Sequence, residues 1–226
     1  MKFPEIISAA LIDMDGVLYD SMPRHARAWQ KMMALLGVHT TVDEFFLYEG
    51  MTGPATIDLI FERELHRHPD ADECRRLYAI KGKFFEEQGE PEVMPGAARM
   101  LHELKRRGVR CILVTGSAQR TTLDRLDRDF PGVFAVRDRI TALDVTHGKP
   151  DPEPYLKGLE KAGTRPEETI VIENAPLGVH AGKAAGLFTV AVTTGPIPRE
   201  AFVSEKADAI FHSMPEFAEF LKTRPL

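Results

Sequence analysis

The chain has 226 residues, 43% hydrophobic and 28% charged, the balance of an ordinary soluble globular protein. Its length suits one core domain carrying a sizeable insertion. No apolar run approaches the length of a membrane-spanning helix, and a net charge of −5 without a long basic stripe argues against nucleic-acid binding. The opening Met1-Lys2-Phe3-Pro4-Glu5 lacks a signal-peptide apolar region, and Cys111, one of only two cysteines, sits inside an apolar segment. A reduced, cytoplasmic setting is expected.

The first element is an apolar run from Ile6 to Ile12, ended by the carboxylates Asp13 and Asp15 and then by Gly16. Such a run reads as a strand buried on both faces of a parallel sheet. Ligands of open α/β sheets bind just beyond the carboxyl ends of these strands. Two acids there point to metal-and-phosphate chemistry, with a nucleophile and a proton shuttle. The stretch from Asp20 to about Val93 reads as four helices. One covers Pro23–Leu36, with Ser21 as its expected cap and Gly37 as its stop; the others are Val42–Tyr48, Pro54–His66 and Asp70 to Gln88. An all-helical block in this place reads as a lid over the strand ends.

Beyond it, Gly96–Arg107 carries Ala97, Leu101 and Leu104 at helical spacing and stops at Gly108. Strands are expected at Val109–Val114, Arg139–Leu143, Thr169–Ile172, Phe188–Val192 and Asp208–Phe211, alternating with helices. That alternation implies an α/β fold with a doubly wound parallel sheet covered on both faces. The expected division is an α/β core over residues 1–19 and 93–226 and a helical cap over 20–92. Among the histidines, none shows convincing metal-ligand spacing.

The segment Asp13-x-Asp15-Gly-Val-Leu-x-Asp-Ser resembles the signature of haloacid dehalogenase-type phosphotransferases. Three further segments follow in that family's order: Val114-Thr115-Gly116-Ser117, Gly148-Lys149-Pro150-Asp151-Pro152 and Ile172-Glu173-Asn174-Ala175-Pro176-Leu177-Gly178. The resemblance spans the chain and implies a Rossmann-like core with an inserted four-helix cap. It further implies that Asp13 attacks phosphorus and that Asp15 shuttles the proton. Two like charges 4 Å apart repel by roughly 4 kcal/mol at an effective dielectric of 20, so an anionic phosphate needs cations beside Asp13. Mg²⁺ and the Lys149 ammonium are expected to supply them. Thr115, Gly116 and Ser117 are expected to hold the phosphoryl oxygens, with Thr115 and Ser117 also capping the next helix. Neighbouring carboxylates are expected to raise the pKa of Asp15, fitting it to give and take a proton.

Two positions depart from the family pattern. Where many relatives place an acidic pair, this chain has Glu173-Asn174, and Asn174 would ligate through its amide oxygen. In the cap loop Phe46-Leu47-Tyr48-Glu49-Gly50-Met51-Thr52-Gly53, Gly53 stands where β-phosphoglucomutase-like enzymes carry an arginine for a second phosphate. Glu49 is an acid where a cation would suit a sugar phosphate, a repulsive element against that substrate. Brought onto the metal, it would shrink the pocket toward a compact substrate such as inorganic pyrophosphate. The motif set resembles bacterial haloacid dehalogenase-type inorganic pyrophosphatases often labelled β-phosphoglucomutase. The expected metal ligands are thus Asp13, Asp15, Asn174, Glu49 and Glu173, with His25 and Lys81 able to reach a substrate phosphate from the cap. A monomeric, Mg²⁺-dependent phosphohydrolase acting on pyrophosphate or another small phosphorylated substrate is expected. The alternative is a β-phosphoglucomutase, and a catalytically inert binding module fits badly with intact Asp13, Asp15, Thr115 and Lys149.

Overall fold

The structure is a computed structural model that describes residues 3–118 and 120–224. Strand β1 (Ala9–Ile12) leads through β2 (Tyr19–Asp20) into the cap helices α1 (Met22–Ala34), α2 (Val42–Leu47), α3 (Gly53–Leu65) and α4 (Ala71–Glu86), and the chain returns through β3 (Glu92–Val93). Then follow α5 (Ala97–Arg106), β4 (Arg110–Val114), α6 (Arg120–Asp129), β5 (Arg139–Ile140) and α7 (Glu153–Ala162). The chain ends with β6 (Thr169–Glu173), α8 (Pro176–Ala184), β7 (Phe188–Val192), α9 (Arg199–Ser204), β8 (Ala209–Phe211) and α10 (Met214–Thr223).

Six strands form one parallel sheet in the order β5-β4-β1-β6-β7-β8. The chain lays β4 and β5 on one side of β1, then β6, β7 and β8 on the other. β1 and β6 therefore flank the switch point where such sheets bind ligands. Ile12 pairs with both Leu113 and Ile172, so one residue on, Asp13 stands level with Val114 and Glu173.

Successive residues of β1 are buried on opposite faces. Ala10 and Ile12 pack in a cluster with Leu104 of α5, Leu126 of α6 and Phe217 of α10. Ala9 and Leu11 pack with Tyr155 and Ala162 of α7 and Ala181 of α8. Burial on both sides is the reason these strands read as unbroken apolar text. Each large side chain so removed from water contributes about 1.5–3 kcal/mol. The first strand is shorter than the apolar run, because Ile6 is exposed and only Ala9–Ile12 lies between paired neighbours on both sides.

In the cap, Thr41 and Glu44 form a reciprocal capping box at α2, while Thr52 and Asp70 cap α3 and α4 through their side chains. Ser21 does not cap α1 as expected. Its backbone is already helical, and its hydroxyl donates to the Asp15 carboxylate, a charged and stronger acceptor than an amide partner would be. Trp29, Phe45, Ile60 and Phe61 build the cap interior, which joins Val179, Ala191 and Phe202 of the core in one apolar cluster.

A two-stranded antiparallel ribbon was not expected in the helical stretch. β2 and β3 pair Tyr19 with Val93 and Asp20 with Glu92, and the boundaries drawn at residues 20 and 93 fall inside it. Helix α6 grips this hinge from the core. Arg125 donates to Pro91 O at 2.7 Å, pairs with Asp129 Oδ2 at 2.8 Å and lies 4.9 Å from the Tyr19 ring centroid. Arg128 pairs with Glu90 at 2.8 Å. No helix among the described residues is long and apolar enough to cross a membrane.

Candidate active site

Asp13 follows β1 directly and is buried. The Lys149 ammonium donates to Asp13 Oδ1 at 2.5 Å, to Glu173 Oε1 at 2.6 Å and to Val114 O at 3.1 Å. An ammonium has three hydrogens, and all three are engaged. Glu173 ends β6, accepts the Tyr155 hydroxyl on Oε1 at 2.5 Å, and receives the Asn174 and Ala175 N–H groups on Oε2 at 3.0 and 3.3 Å. Both its oxygens are thus committed to Lys149, Tyr155 and backbone. Glu173, expected among the metal ligands, is placed instead as the holder of Lys149. Burial, opposed by Lys149 and reinforced by Glu173 and Asp15, pushes the Asp13 carboxyl up to about 8.

Asp15 heads a buried relay into the cap. Its Oδ1 accepts the Ser21 hydroxyl at 2.6 Å and lies 3.0 Å from His25 Nε2, while His25 Nδ1 lies 2.6 Å from Lys81 Nζ. A protonated lysine only donates, so Nδ1 accepts and Nε2–H donates to Asp15. Burial would raise the Asp15 carboxyl, but His25 donating to it, the Ser21 hydrogen bond and the Lys81 charge outweigh it and hold the carboxyl below its ordinary value. The expected rise is therefore corrected to a fall: the cap supplies donors and a cation that β1 alone could not announce. Burial and the Lys81 charge lower His25, outweighing Asp15, and burial lowers Lys81 to about 7. Lys81 also lies 5.1 Å from the Trp29 ring centroid. Both cap residues line the pocket above Asp13, yet each is tied toward Asp15.

Glu49, on the loop between α2 and α3, is buried and faces Asn174. Asn174 Nδ2 donates to Glu49 Oε2 at 2.9 Å. Glu49 Oε1 and Asn174 Oδ1 are buried without a hydrogen-bond partner. Burial and the Asp13 charge, against the Asn174 hydrogen bond, drive the Glu49 carboxyl well above its ordinary value. Two orphaned oxygens beside crowded carboxylates are the donor set of a hard divalent cation. Asp13, Asp15, Glu49 and Asn174 fit Mg²⁺ on that ground.

The cap loop closes directly onto the phosphate loop. A Cβ on Gly116 would lie 2.5 Å from Gly50 O, and Gly50 itself has φ +90° with its α-carbon against the Lys149 side chain. Thr115 Oγ1 accepts the Ser117 N–H at 3.0 Å. Helix α6 begins at Arg120, and the cap position expected to involve Thr115 and Ser117 adjoins residue 119, which lies outside the described residues. Tyr78 of α4 reaches across, its hydroxyl bonded to Ser117 and, at 3.4 Å, to the Ala118 N–H. Its ring fills the place any side chain at Gly53 would take, 2.2 Å from where a Cβ would stand. The half-open pocket at Asp13 has a cavity volume of about 60 Å³.

Three contributors have no local sign in the sequence: Ser21 reads as a cap, Tyr78 as a cap-core aromatic and Tyr155 as the apolar face of a helix. His147, Asp151 and Glu153 bring ligand atoms within 4.8 Å of one another. Glu153 there accepts the Thr146 and His147 N–H groups and pairs with Lys157, the work of a helix-start clasp.

Hexitol phosphatase A of Escherichia coli is 29% identical over 213 residues, covering 90% of each chain. A phosphorylated carbohydrates phosphatase of Thermotoga maritima is 30% identical over 182 residues, 80% of this chain and 82% of that one. The structure of a candidate β-phosphoglucomutase from Bacteroides vulgatus superposes with a TM-score of 0.92 at 44% identity, over 98% of this chain and 91% of the other. Residues 7–186 match a family that takes in both site-bearing strands and the whole cap, and the chain belongs to the haloacid dehalogenase-like hydrolases.

Proposed function

We propose that the protein is a Mg²⁺-dependent phosphohydrolase that works through an aspartyl-phosphate on Asp13 and prefers inorganic pyrophosphate. Asp13 Oδ attacks phosphorus in line as the bond to the leaving oxygen breaks; water then attacks the same phosphorus, Asp15 takes its proton, and Asp13 is released. Thr115, Gly116, Ser117 and Lys149 hold the transferring oxygens, while His25 and Lys81 line the pocket as the partners that orient Asp15. Mg²⁺ held by Asp13, Asp15, Glu49 and Asn174 would neutralise the charge between the nucleophile and the phosphoryl oxygens. Asp15, bonded to Ser21 and His25, is held in the ionised form that can accept a proton. That suits a phosphate leaving group, which departs without the prompt protonation an alkoxide requires.

The observation that carries the choice of substrate is Glu49, buried against Asn174 with an unpartnered oxygen over a small cavity. Tyr78 fills the place of a side chain at Gly53 that could hold a distal phosphate. The second reading is a phosphosugar phosphatase or mutase, favoured by the names of the carbohydrate-phosphate relatives and of the Bacteroides vulgatus structure. Steady-state kinetics on pyrophosphate, β-glucose 1-phosphate, hexitol phosphates and p-nitrophenyl phosphate separate the two. Expected is the highest kcat/KM on pyrophosphate, lost by orders of magnitude in Glu49→Ala while slow p-nitrophenyl phosphate hydrolysis survives. A higher kcat/KM on any sugar phosphate would reject pyrophosphate, and equal loss of both activities would make Glu49 structural.

A further inference from the structure

We propose that Tyr155 is a positioning residue for phosphoryl transfer: its hydroxyl restrains Glu173 so that the Lys149 ammonium stays at Asp13. The proposal rests on Asp13 and Lys149 being the reacting pair described above. Tyr155 lies in the first turn of α7 and is fully buried. A buried tyrosine hydroxyl requires a partner. It has one in Glu173 Oε1 at 2.5 Å, the same oxygen that accepts Lys149 at 2.6 Å. The Tyr155 ring meanwhile lies under the ammonium, 5.1 Å from Nζ to centroid. One side chain therefore touches both members of the pair that flanks the nucleophile.

The consequence follows from counting donors and acceptors. Lys149 has three hydrogens and three acceptors, so a phosphoryl oxygen gains a hydrogen only in exchange for one of them. Asp13 Oδ1 at 2.5 Å and Glu173 Oε1 at 2.6 Å compete for the ammonium at nearly equal distance. Glu173 Oε2 is closed by two backbone N–H groups, so Oε1 is where its remaining charge acts. The tyrosine hydroxyl takes up part of that acceptor strength and loosens the grip of Glu173 on Lys149. Without the hydroxyl the ammonium is drawn toward Glu173 and away from the reacting oxygens.

Tyr155→Phe keeps the ring, its burial and its contact with Nζ, and removes only the hydroxyl. Expected with p-nitrophenyl phosphate and Mg²⁺ is a fall in kcat of roughly ten- to a hundredfold with KM nearly unchanged, the span a hydrogen bond to a charged group accounts for. Orthovanadate, a mimic of the five-coordinate transferring phosphoryl, should bind more weakly by the same factor, while inorganic phosphate binds as before. A purely structural role would not split those two ligands. In a Glu173→Gln background the Tyr155→Phe change should add nothing further. Wild-type kcat and vanadate affinity in Tyr155→Phe, or a full additional loss in the Glu173→Gln background, would overturn the proposal. If Asp13→Asn retains turnover, the underlying reading of the site fails instead, which keeps the two failures apart.

Discussion

Lys81 is a buried lysine, set between His25 and the faces of Trp29 and Phe85. Burial, against the attraction of Asp15, brings its ammonium from 10.5 down to about 7. Between those values the unfolded chain holds a proton that the folded chain has released, so folding stability rises with pH across that window. Below about 7 both states are charged and the full desolvation cost is present. His25, lowered chiefly by burial, works in the same direction. Lys81→Met, which removes the buried charge, should therefore raise the urea midpoint over wild type at pH 6, with the gap narrowing by pH 9 in Mg²⁺-free buffer. A gap independent of pH would show that Lys81 is not desolvated in the folded chain. At this scale Asp13, Asp15, Thr115 and Lys149 were legible because each sits in a short motif at a strand end or loop. The partners of Asp15 were not: Ser21 reads locally as a helix cap, and His25 and Lys81 lie 56 positions apart in the chain.

Among the elements, α6 links the phosphate loop to the hinge. It starts shortly after Ser117, and its Arg125 binds Pro91 O, Asp129 and the ring of Tyr19 where β2 meets β3. Arg125 is 11% exposed at its side chain, so solvent competes little for these contacts. Arg125→Ala should reduce stability by about 1–3 kcal/mol, the loss of charged hydrogen bonds with Asp129 left behind. The effect should concentrate at the hinge, with faster hydrogen exchange at Met94, whose N–H donates to Leu18 O at 2.9 Å. Hydrogen exchange followed by mass spectrometry reads this out, and wild-type protection at residues 92–94 would show that the ribbon holds itself. The cap helices could be read from the sequence through their breaks, Gly37 after the first and the Gly-containing turn before Pro54, and three of the four starts carry side-chain caps in the structure, Thr41 with Glu44, Thr52 and Asp70. The ribbon could not, since two residues per strand leave no period to detect.

Over the whole molecule, the sheet delivers Asp13 and Glu173 at one edge, and the cap brings Glu49, His25 and Lys81 down onto them. The sheet was legible because strands buried on both faces are unbroken apolar text, and β1 needs no partner to show it. Contacts that complete the site were hidden because they join distant positions: Glu49 meets Asn174 across 125 residues and Lys149 meets Asp13 across 136. Only the fold decides which of the several buried acids keeps a free oxygen. Glu173 loses its own to Lys149, Tyr155 and backbone, while Glu49 and Asn174 each retain one. In the proposed reaction Asp13, its charge balanced by Lys149 and a divalent cation, is the carboxylate that bonds phosphorus. Acid quench during turnover, borohydride reduction of any acyl-phosphate and peptide mass spectrometry test this directly. Expected is homoserine at position 13 in the quenched enzyme and none in Asp13→Asn, which should be inactive. An unmodified Asp13 in an enzyme trapped mid-turnover, or homoserine at another acid, would contradict it.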